Sequence, residues 1–420
     1  MVQTKAILPG ITLRCFQDSR FKQNCLTVQF VRPMCREEAA KNALLPAVLL
    51  RGCEGAPDLR SITLKLDDLY GAAVGPLVRR VGDYQTTGLH CSFVEDRFAL
   101  EGDQILAPMV QFLGKLLFAP VLEKGVFRED YVNNEKKNLI ATIEAEKNDK
   151  RAYAAAELLR RMCSEDSYGI PRLGTAQWVK AVTAEDLYAH YRRILRESRV
   201  DIFYVGSRDA TQVAQMFEDL FVSLERSYVN LQEQTAFRSP EGGEQTQAMD
   251  VAQGKLAMGF TTPITLRRED FVAMQVCNAV FGGGMTSKLF MQVREKNSLC
   301  YDIGSGYYGS KGILTVGAGI DCAKKDEVQR HILAQLEACQ KGQITDEELT
   351  AAKQALVSSL RGVHDSAGGI ENYYATGALS GQKMTPQQHM QAVEEVTREQ
   401  VCQVAKTLKL HTVFFLKGEG

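Results

Sequence analysis

Short stretches of alternating apolar and polar residues occur at corresponding places in the two halves of the chain. Alternation with a period of two predicts a strand with one buried face. Two such strands and an amphipathic helix after them are predicted in each half. The matching segments are 26–30 with 255–260, 87–93 with 312–320, and, for the helix, 105–117 with 328–339. A proline follows the first of these strands in each half within three residues. The chain is therefore predicted to be a diverged duplication.

The last helix of each half begins in the same way. Thr183 and Thr397 each stand at a predicted N-cap, with an acidic residue two positions later in the first turn. Each helix then leads into a terminal strand, predicted at 201–206 and 412–416. The correspondence therefore extends to the ends of both halves.

The order of these elements indicates the fold class. Strands and helices alternate without a strict βαβ rhythm, which favours an α+β fold with helices packed on one face of a mainly antiparallel sheet. We expect two homologous domains of this kind, at 1–228 and 248–420. The segment between them, 229–247, is polar and contains Ser-Pro and Gly-Gly pairs, a composition that suits a linker.

Composition narrows the classes of function. The 420 residues carry a net charge of −1, so nothing indicates nucleic acid or an anionic membrane as a partner. No apolar run approaches the ~20 residues that span a bilayer. The 11 cysteines are odd in number and scattered, and no C-x-x-C pair occurs, so we expect free thiols in a reducing cytoplasm.

The most informative segment is a glycine run with an arginine and a tyrosine downstream. Gly282, Gly283 and Gly284 permit close approach of the backbone to another surface and positive φ angles without strain. Both Arg294 and Tyr301 can donate hydrogen bonds to a carbonyl or an oxyanion. The pattern predicts a glycine turn, a short helix, and a second helix or turn that enters a strand.

This order of residues resembles the C-terminal half of the pitrilysin/insulinase-type zinc peptidases, which include mitochondrial processing peptidase. There a GGGMSSRLF-like run leads to an Arg and a Tyr that contact the substrate at the scissile bond. The resemblance implies catalytic roles for Arg294 and Tyr301 and substrate binding by Gly282, Gly283 and Gly284. It also implies the same α+β architecture twice in one chain.

The first half departs from the zinc-binding pattern of that family. There an H-x-x-E-H motif on one helix and a Glu from a later helix form the zinc site. In this sequence Ala43 and Ala47 stand at the two His positions, and Pro46 replaces the base. Thr142 stands at the position of the third ligand, and Glu135 matches only the first Glu of that later helix. We therefore expect no metal, no cofactor and no independent peptidase activity in this chain.

Half of the family's active site is thus retained, which is what a two-chain enzyme needs from one subunit. The resemblance implies a non-catalytic subunit that supplies Arg294 and Tyr301 to a homologous partner carrying H-x-x-E-H and zinc. The substrates implied are peptides or unfolded segments. A scaffold subunit of the same fold, with no role in cleavage, is the alternative. A homodimer in the absence of the partner is left open.

A finer resemblance concerns the pathway. Residues 44–52 and 66–72 resemble an inactive chain of Firmicute bacteria named for its association with the 5-aminopentanol modification of elongation factor P. Similar non-catalytic chains pair with peptidases that remove leader peptides from ribosomally made natural products. Both settings imply a partner peptidase.

Overall fold

A computed structural model describes residues 2–231, 237 and 240–418. Over these residues the strands are β1 (Val2–Leu8), β2 (Ile11–Gln17), β3 (Gln23–Pro33), β4 (Ala73–Val81), β5 (Tyr84–Val94), β6 (Leu122–Glu123), β7 (Val126–Phe127), β8 (Arg199–Gly206), β9 (Gly243–Met249), β10 (Gly254–Thr261), β11 (Asp302–Tyr308), β12 (Ile313–Ile320) and β13 (Lys409–Gly418). The α-helices are α1 (Arg36–Leu49), α2 (Leu59–Asp68), α3 (Leu106–Phe118), α4 (Glu129–Ala145), α5 (Lys150–Met162), α6 (Ala176–Ala181), α7 (Ala184–Glu197), α8 (Ala210–Phe221), α9 (Phe271–Gly282), α10 (Lys325–Gln340), α11 (Asp346–Gly362), α12 (Ala367–Ser380), α13 (Pro386–Glu395) and α14 (Arg398–Ala405). None of the helices in these ranges is long and apolar enough to cross a membrane.

The chain folds into two compact units, and each unit includes a segment from the other half of the sequence. The first unit comprises Met1–Glu144, Ile170–Gln234 and His364–Thr376. The second comprises Ala145–Gly169, Thr235–Val363 and Gly377–Gly420. Helix α5 therefore belongs to the second unit, and most of α12 belongs to the first. The division predicted from the sequence is 1–228, 229–247 and 248–420. The compact units differ from it because 145–169 belongs to the second unit and 364–376 to the first.

The first unit is built on a sheet whose strands follow the order β1-β2-β8-β3-β5-β4 in the described part of the chain. Neighbouring strands are antiparallel, except that β2 and β8 run parallel. Leu26, Val28 and Phe30 of β3 are buried against helices α1, α3, α7 and α8. The main core of this unit lies between that face of the sheet and the four helices.

The second unit repeats this topology. Its sheet has the order β11-β12-β10-β13-β9, again with one parallel pair, β13 with β9, among the described strands. Counted from β4 and from β11, five strands of each sheet follow the same order in the same directions. The α+β fold class and the duplication predicted from the sequence are confirmed.

Strand β9 begins inside the segment assigned to the linker. Residues 243–247 pair in parallel with β13, and most of their side chains are exposed. Main-chain hydrogen bonds to a buried neighbour hold such a strand, so its polar sequence carries no alternating pattern that predicts it. The rest of the linker's central part, 232–236 and 238–239, lies outside the described residues.

Each sheet packs its main core on one face, as predicted, and a further helix covers the other face. In the second unit Ala257 of β10 alternates with residues of the main core and faces the opposite side. There it is buried with Phe414 and Leu416 of β13 against Ala154 and Leu158 of α5. The second face of this sheet is therefore an apolar contact with α5.

The corresponding face of the first unit is polar. Glu371 of α12 is 1% exposed and accepts hydrogen bonds from Thr27 at 2.9 Å and Gln29 at 2.8 Å. Arg79 of β4 binds both carboxylate oxygens, at 2.9 and 2.8 Å. A buried carboxylate is stable only when charge and lone pairs are satisfied, and this network satisfies both.

Helix α1 contains Pro46 in its interior. A proline has no N–H, so the carbonyl of Asn42, four residues earlier, loses its helical hydrogen bond. The hydroxyl of Thr87 on β5 donates to that carbonyl at 2.7 Å, and both residues are buried. The neighbouring strand thus replaces the bond that the proline removes.

This replacement predicts a non-additive pair of substitutions. Thr87→Val keeps the shape but leaves the Asn42 carbonyl without this donor, which should lower the free energy of unfolding by about 1–3 kcal/mol. In a Pro46→Ala background residue 46 regains an N–H, and the same Thr87→Val change should cost much less. Urea unfolding of the wild type, both single variants and the double variant measures the coupling. Equal costs of Thr87→Val in the two backgrounds would contradict it.

Candidate functional site

The glycine run starts at the end of the buried helix α9. A Cβ on Gly282 would lie 2.6 Å from Ser305 Oγ of β11, and one on Gly283 would lie 2.7 Å from Ala279 Cα, whereas one on Gly284 would meet nothing within 4 Å. None of the three glycines has a positive φ. Of the two properties that the sequence indicated for these glycines, Gly282 and Gly283 therefore use the close approach, and none of the three uses a positive φ.

The segment after the glycines is a π-helix, Leu289–Lys296. Short π-helical segments often occur at functional sites. Ser298 has φ 51°, in the left-handed region, and its N–H donates to the carbonyl of Arg294 at 3.0 Å. The chain turns back here into β11. This reversal, and not two continuous helical turns, places Tyr301 beside Arg294.

Arg294 is held in place by its own loop. Its Nε donates to the main-chain carbonyl of Tyr301 at 2.9 Å, and Nη1 donates to Glu295 at 3.1 Å. The guanidinium lies 4.6 Å from the centre of the Phe290 ring, a cation–π contact. Tyr301 is 61% exposed. The arginine is thus positioned before any ligand binds, and the phenol is accessible.

Cys300 lies between these residues in the chain and is buried. Burial, together with the charge of Asp302 and against the opposing charge of Arg294, raises the pKa of its thiol to about 11. The thiol is therefore protonated at neutral pH, and thiols attack as thiolates.

All five residues named from the motif line one cleft of about 600 Å³ in the second unit. Its walls are α5, strands β10 to β12, and the segment from Gly282 to Arg294. Every residue from Tyr301 to Gly306 lines it. Consecutive side chains of a strand point to opposite faces, so main-chain groups of β11 also face the cleft. In the described part of the sheet β11 is an edge strand.

Three charged residues of this cleft do not stand out in the sequence. Arg151 Nη1 lies 3.4 Å from Asp302 Oδ1, and Lys255 Nζ lies 3.7 Å from Asp302 Oδ2. Arg151 comes from α5, in the other half of the sequence, so no motif spacing relates it to Asp302. Adjacency to Tyr301 is the one local signal that marks Asp302.

The segment that aligns with the family's zinc motif is apolar. Ala43 is buried in α1, beside Pro46. Thr142 of α4 donates to the main-chain carbonyl of its own helix at Asn138, at 3.0 Å. Glu135 forms an ion pair with Arg51. No group of three or more His, Cys, Asp and Glu residues with metal-binding geometry occurs within the described ranges.

A buried polar cluster lies next to that segment. His190 of α7 donates from Nε2 to Asn42 Oδ1 at 2.7 Å, and Arg193 lies 3.1 Å from its Nδ1, which therefore accepts. Burial, together with the charges of Arg193 and Arg32 and against the opposing charge of Glu38, lowers the pKa of His190 to about 3. His190 is thus a neutral structural histidine with one defined tautomer.

Comparison with known proteins decides the family. The family described as the peptidase M16 inactive domain matches residues 181–356. The probable inactive metalloprotease YmfF of Bacillus subtilis is 30% identical over 409 residues, which cover 97% of this chain and 96% of YmfF. The chain belongs to the M16 peptidase family. The resemblance to zinc peptidases predicted from the glycine motif is confirmed, and the chain is an inactive, peptidase-like M16 subunit.

Solved structures share the fold of this chain. A conserved protein from Enterococcus faecalis V583 has a TM-score of 0.91 at 30% identity and covers 100% of this chain and 99% of its own. A peptidase M16 inactive domain from Pseudomonas fluorescens has a TM-score of 0.81 at 18% identity, covering 100% and 98%. The second likeness shows the fold alone.

Because His190 is neutral in the folded chain, the free energy of unfolding is expected to depend on pH. Its folded pKa of about 3 lies below the ~6.5 of an unfolded histidine, so the stability it contributes is present above pH ~6.5. That stability is lost as the pH falls from ~6.5 towards 3, at about 1.4 kcal/mol per pH unit. His190→Gln retains a donor towards Asn42 without titrating, and unfolding free energies measured across this window should show a shallower slope. His331→Gln, in the second unit, is the control, and an unchanged slope in His190→Gln would contradict the assignment.

Proposed function

We propose that this chain is the non-catalytic subunit of a heterodimeric zinc peptidase, and that Arg294 and Tyr301 contact a peptide at the partner's active site. One observation carries the proposal. The retained half of the family's motif lies together along one open cleft, whereas the aligned zinc positions hold Ala43, Ala47 and Thr142. The residues present do not fit a zinc ion, so zinc is assigned to the partner.

The two side chains are suited to different roles. Nε and Nη1 of Arg294 are occupied, and in the described structure Nη2 remains to donate to a peptide carbonyl. Arginine stays charged, so this contact exists before the reaction. The phenol of Tyr301 can donate to the oxyanion that develops when the scissile carbonyl is attacked. Donors aimed at developing charge lower the barrier for the chemical step.

The cleft also suits an extended peptide. Main-chain groups of the edge strand β11 line it, and a peptide that adds to a sheet edge gains affinity from main-chain hydrogen bonds. Gly282, Gly283 and Gly284 also line the cleft and have no side chains, which permits close approach of a second backbone. Substrates of this kind are peptides or unfolded segments.

The setting proposed is a reducing cytoplasm. The 11 cysteines form no disulfide with one another, and eight of them are buried. We expect the partner to act in one of two pathways, the modification of elongation factor P or the removal of leader peptides. In both cases the partner is a homologue with H-x-x-E-H, and a gene beside the one for this chain is the first candidate.

Reconstitution with such a partner tests the proposal. Peptidase activity should appear in the mixture, and neither chain alone should cleave at the rate of the pair, because each holds half of the site. Elemental analysis should find zinc in the partner and none in this chain. Size-exclusion chromatography reports assembly. If the partner alone cleaves its peptide at the full rate, the complementation proposal is wrong.

Substitutions in the pair separate the two roles. Tyr301→Phe removes one oxyanion donor and should lower kcat of the complex by about 10²–10³-fold, with little change in KM. Arg294→Ala should also raise KM, because it removes a contact made before the transition state. Arg268→Ala, an exposed arginine of the same unit that pairs with Asp270 and does not line the cleft, is the matched control. Unchanged kcat and KM in both variants, with assembly intact, would favour the scaffold function.

A further inference from the structure

The ion pairs inside the cleft are looser than others in the same unit. Arg151 and Lys255 approach Asp302 at 3.4 and 3.7 Å, beyond hydrogen-bond distance. Arg268 reaches Asp270 at 2.8 Å, and Lys288 reaches Glu348 at 2.8 Å. Two cations thus share one carboxylate and neither is fully engaged by it.

The shared carboxylate leaves one positive charge unbalanced beside Asp302. The charged residues that line the cleft are Arg151, Lys255, Arg294 and Asp302. Arg294 pairs with Glu295. Arg151 and Lys255 share the single charge of Asp302, so this part of the cleft carries one cation in excess. A second carboxylate placed there would complete the set of charges.

Small residues leave room for such a group. Ala154 and Ala257 line the cleft on the face of the sheet that α5 covers, and a Cβ added at Gly317 would meet nothing within 4 Å. At Gly319 a Cβ would lie 2.4 Å from an oxygen of Asp302 and 2.8 Å from Lys255 Nζ. The sheet therefore has no side chain at Gly317, where there is open space, or at Gly319, which lies against the charged groups.

The cations do not serve to attach α5 to the sheet. That helix already buries Ala154 and Leu158 against the apolar face formed by Phe414 and Leu416. Its start is capped by Asp149, which accepts from two main-chain N–H groups at 3.0 Å. An ion pair at 3.4 Å between partly exposed groups adds little to such packing.

We propose that Arg151 and Lys255 form a subsite for a carboxylate of the bound peptide. The carboxylate is either an Asp or Glu side chain or the C-terminus of the peptide, since both present the same group. The planar fork of Arg151 can bind both oxygens, and Lys255 adds a point charge from the sheet. Asp302 competes with the ligand and sets the strength of the preference. The inference rests on the proposed function, because it needs the cleft to bind peptide.

Peptide retention by the isolated chain tests the subsite. Randomised octapeptides with blocked termini are passed over the immobilised chain at low salt, and retained peptides are sequenced by mass spectrometry. Asp and Glu should be enriched about tenfold at one position, and high salt should reduce the enrichment. A second pool contains no Asp or Glu but has free C-termini. If only this second pool is retained, the bound carboxylate is the C-terminus of the peptide.

Three variants are expected to show three different degrees of acidic enrichment. Arg151→Ala combined with Lys255→Met should abolish the enrichment, and Asp302→Asn should increase it severalfold, a gain that misfolding cannot produce. Arg160→Ala, on the same helix but outside the cleft, should behave as the wild type. Acidic enrichment that is equal in the wild type and the double variant, or no retained peptide, overturns the subsite. The proposed function is judged separately, by the kinetics of the reconstituted pair.

Discussion

The packing of α5 on the second face of the second sheet is the contact on which the candidate site depends. Phe414 and Leu416 make that face apolar, and apolar surface of this size is not stable in water. Ala154 and Leu158 of α5 bury it. The same helix then forms one wall of the cleft and supplies its Arg151. The packing of α5 therefore both buries the sheet face and forms the cleft.

The absence of zinc ligands is accompanied by local adjustments in the first unit. Pro46 removes a helical hydrogen bond, and Thr87 of the adjacent strand restores a partner to the carbonyl of Asn42. The amide of Asn42 in turn fixes the tautomer of His190, which is buried and neutral. The segment that aligns with the family's zinc motif is here a hydrogen-bonded structural core.

The second unit keeps the opposite character. Arg294 is pre-positioned by Tyr301's own carbonyl and by the ring of Phe290, while the phenol of Tyr301 is exposed. Such pre-organisation lowers the entropy lost when a ligand binds. A scaffold has no need of an exposed phenol beside an ordered arginine at the mouth of a glycine-lined cleft, and this contrast between the two halves is what favours a substrate-contacting subunit.

The sequence by itself determined the α+β class, the duplication and the M16 kinship. Strands β3 and β10 alternate because large apolar residues of one face pack into the main core, whereas the other face holds Thr27 and Gln29 in β3 and the small Ala257 in β10. The glycine, arginine and tyrosine residues keep a characteristic spacing. Local pattern also located Thr183 and Thr397 as helix caps, each accepting from a main-chain N–H. These features are visible because their physical cause lies within a few residues of each other along the chain.

Only the tertiary structure decided the exchange of α5 and α12, the strand at 243–247 and the charge of the cleft. Arg151 meets Asp302 because α5 leaves its own half of the sequence to cover an apolar sheet face, and no periodicity encodes that destination. Packing also explains the first two glycines, because Gly282 lies against Ser305 and Gly283 against Ala279, and neither has a positive φ. Spacing records which residues are near in the chain, whereas packing of distant segments decides which charges share a site.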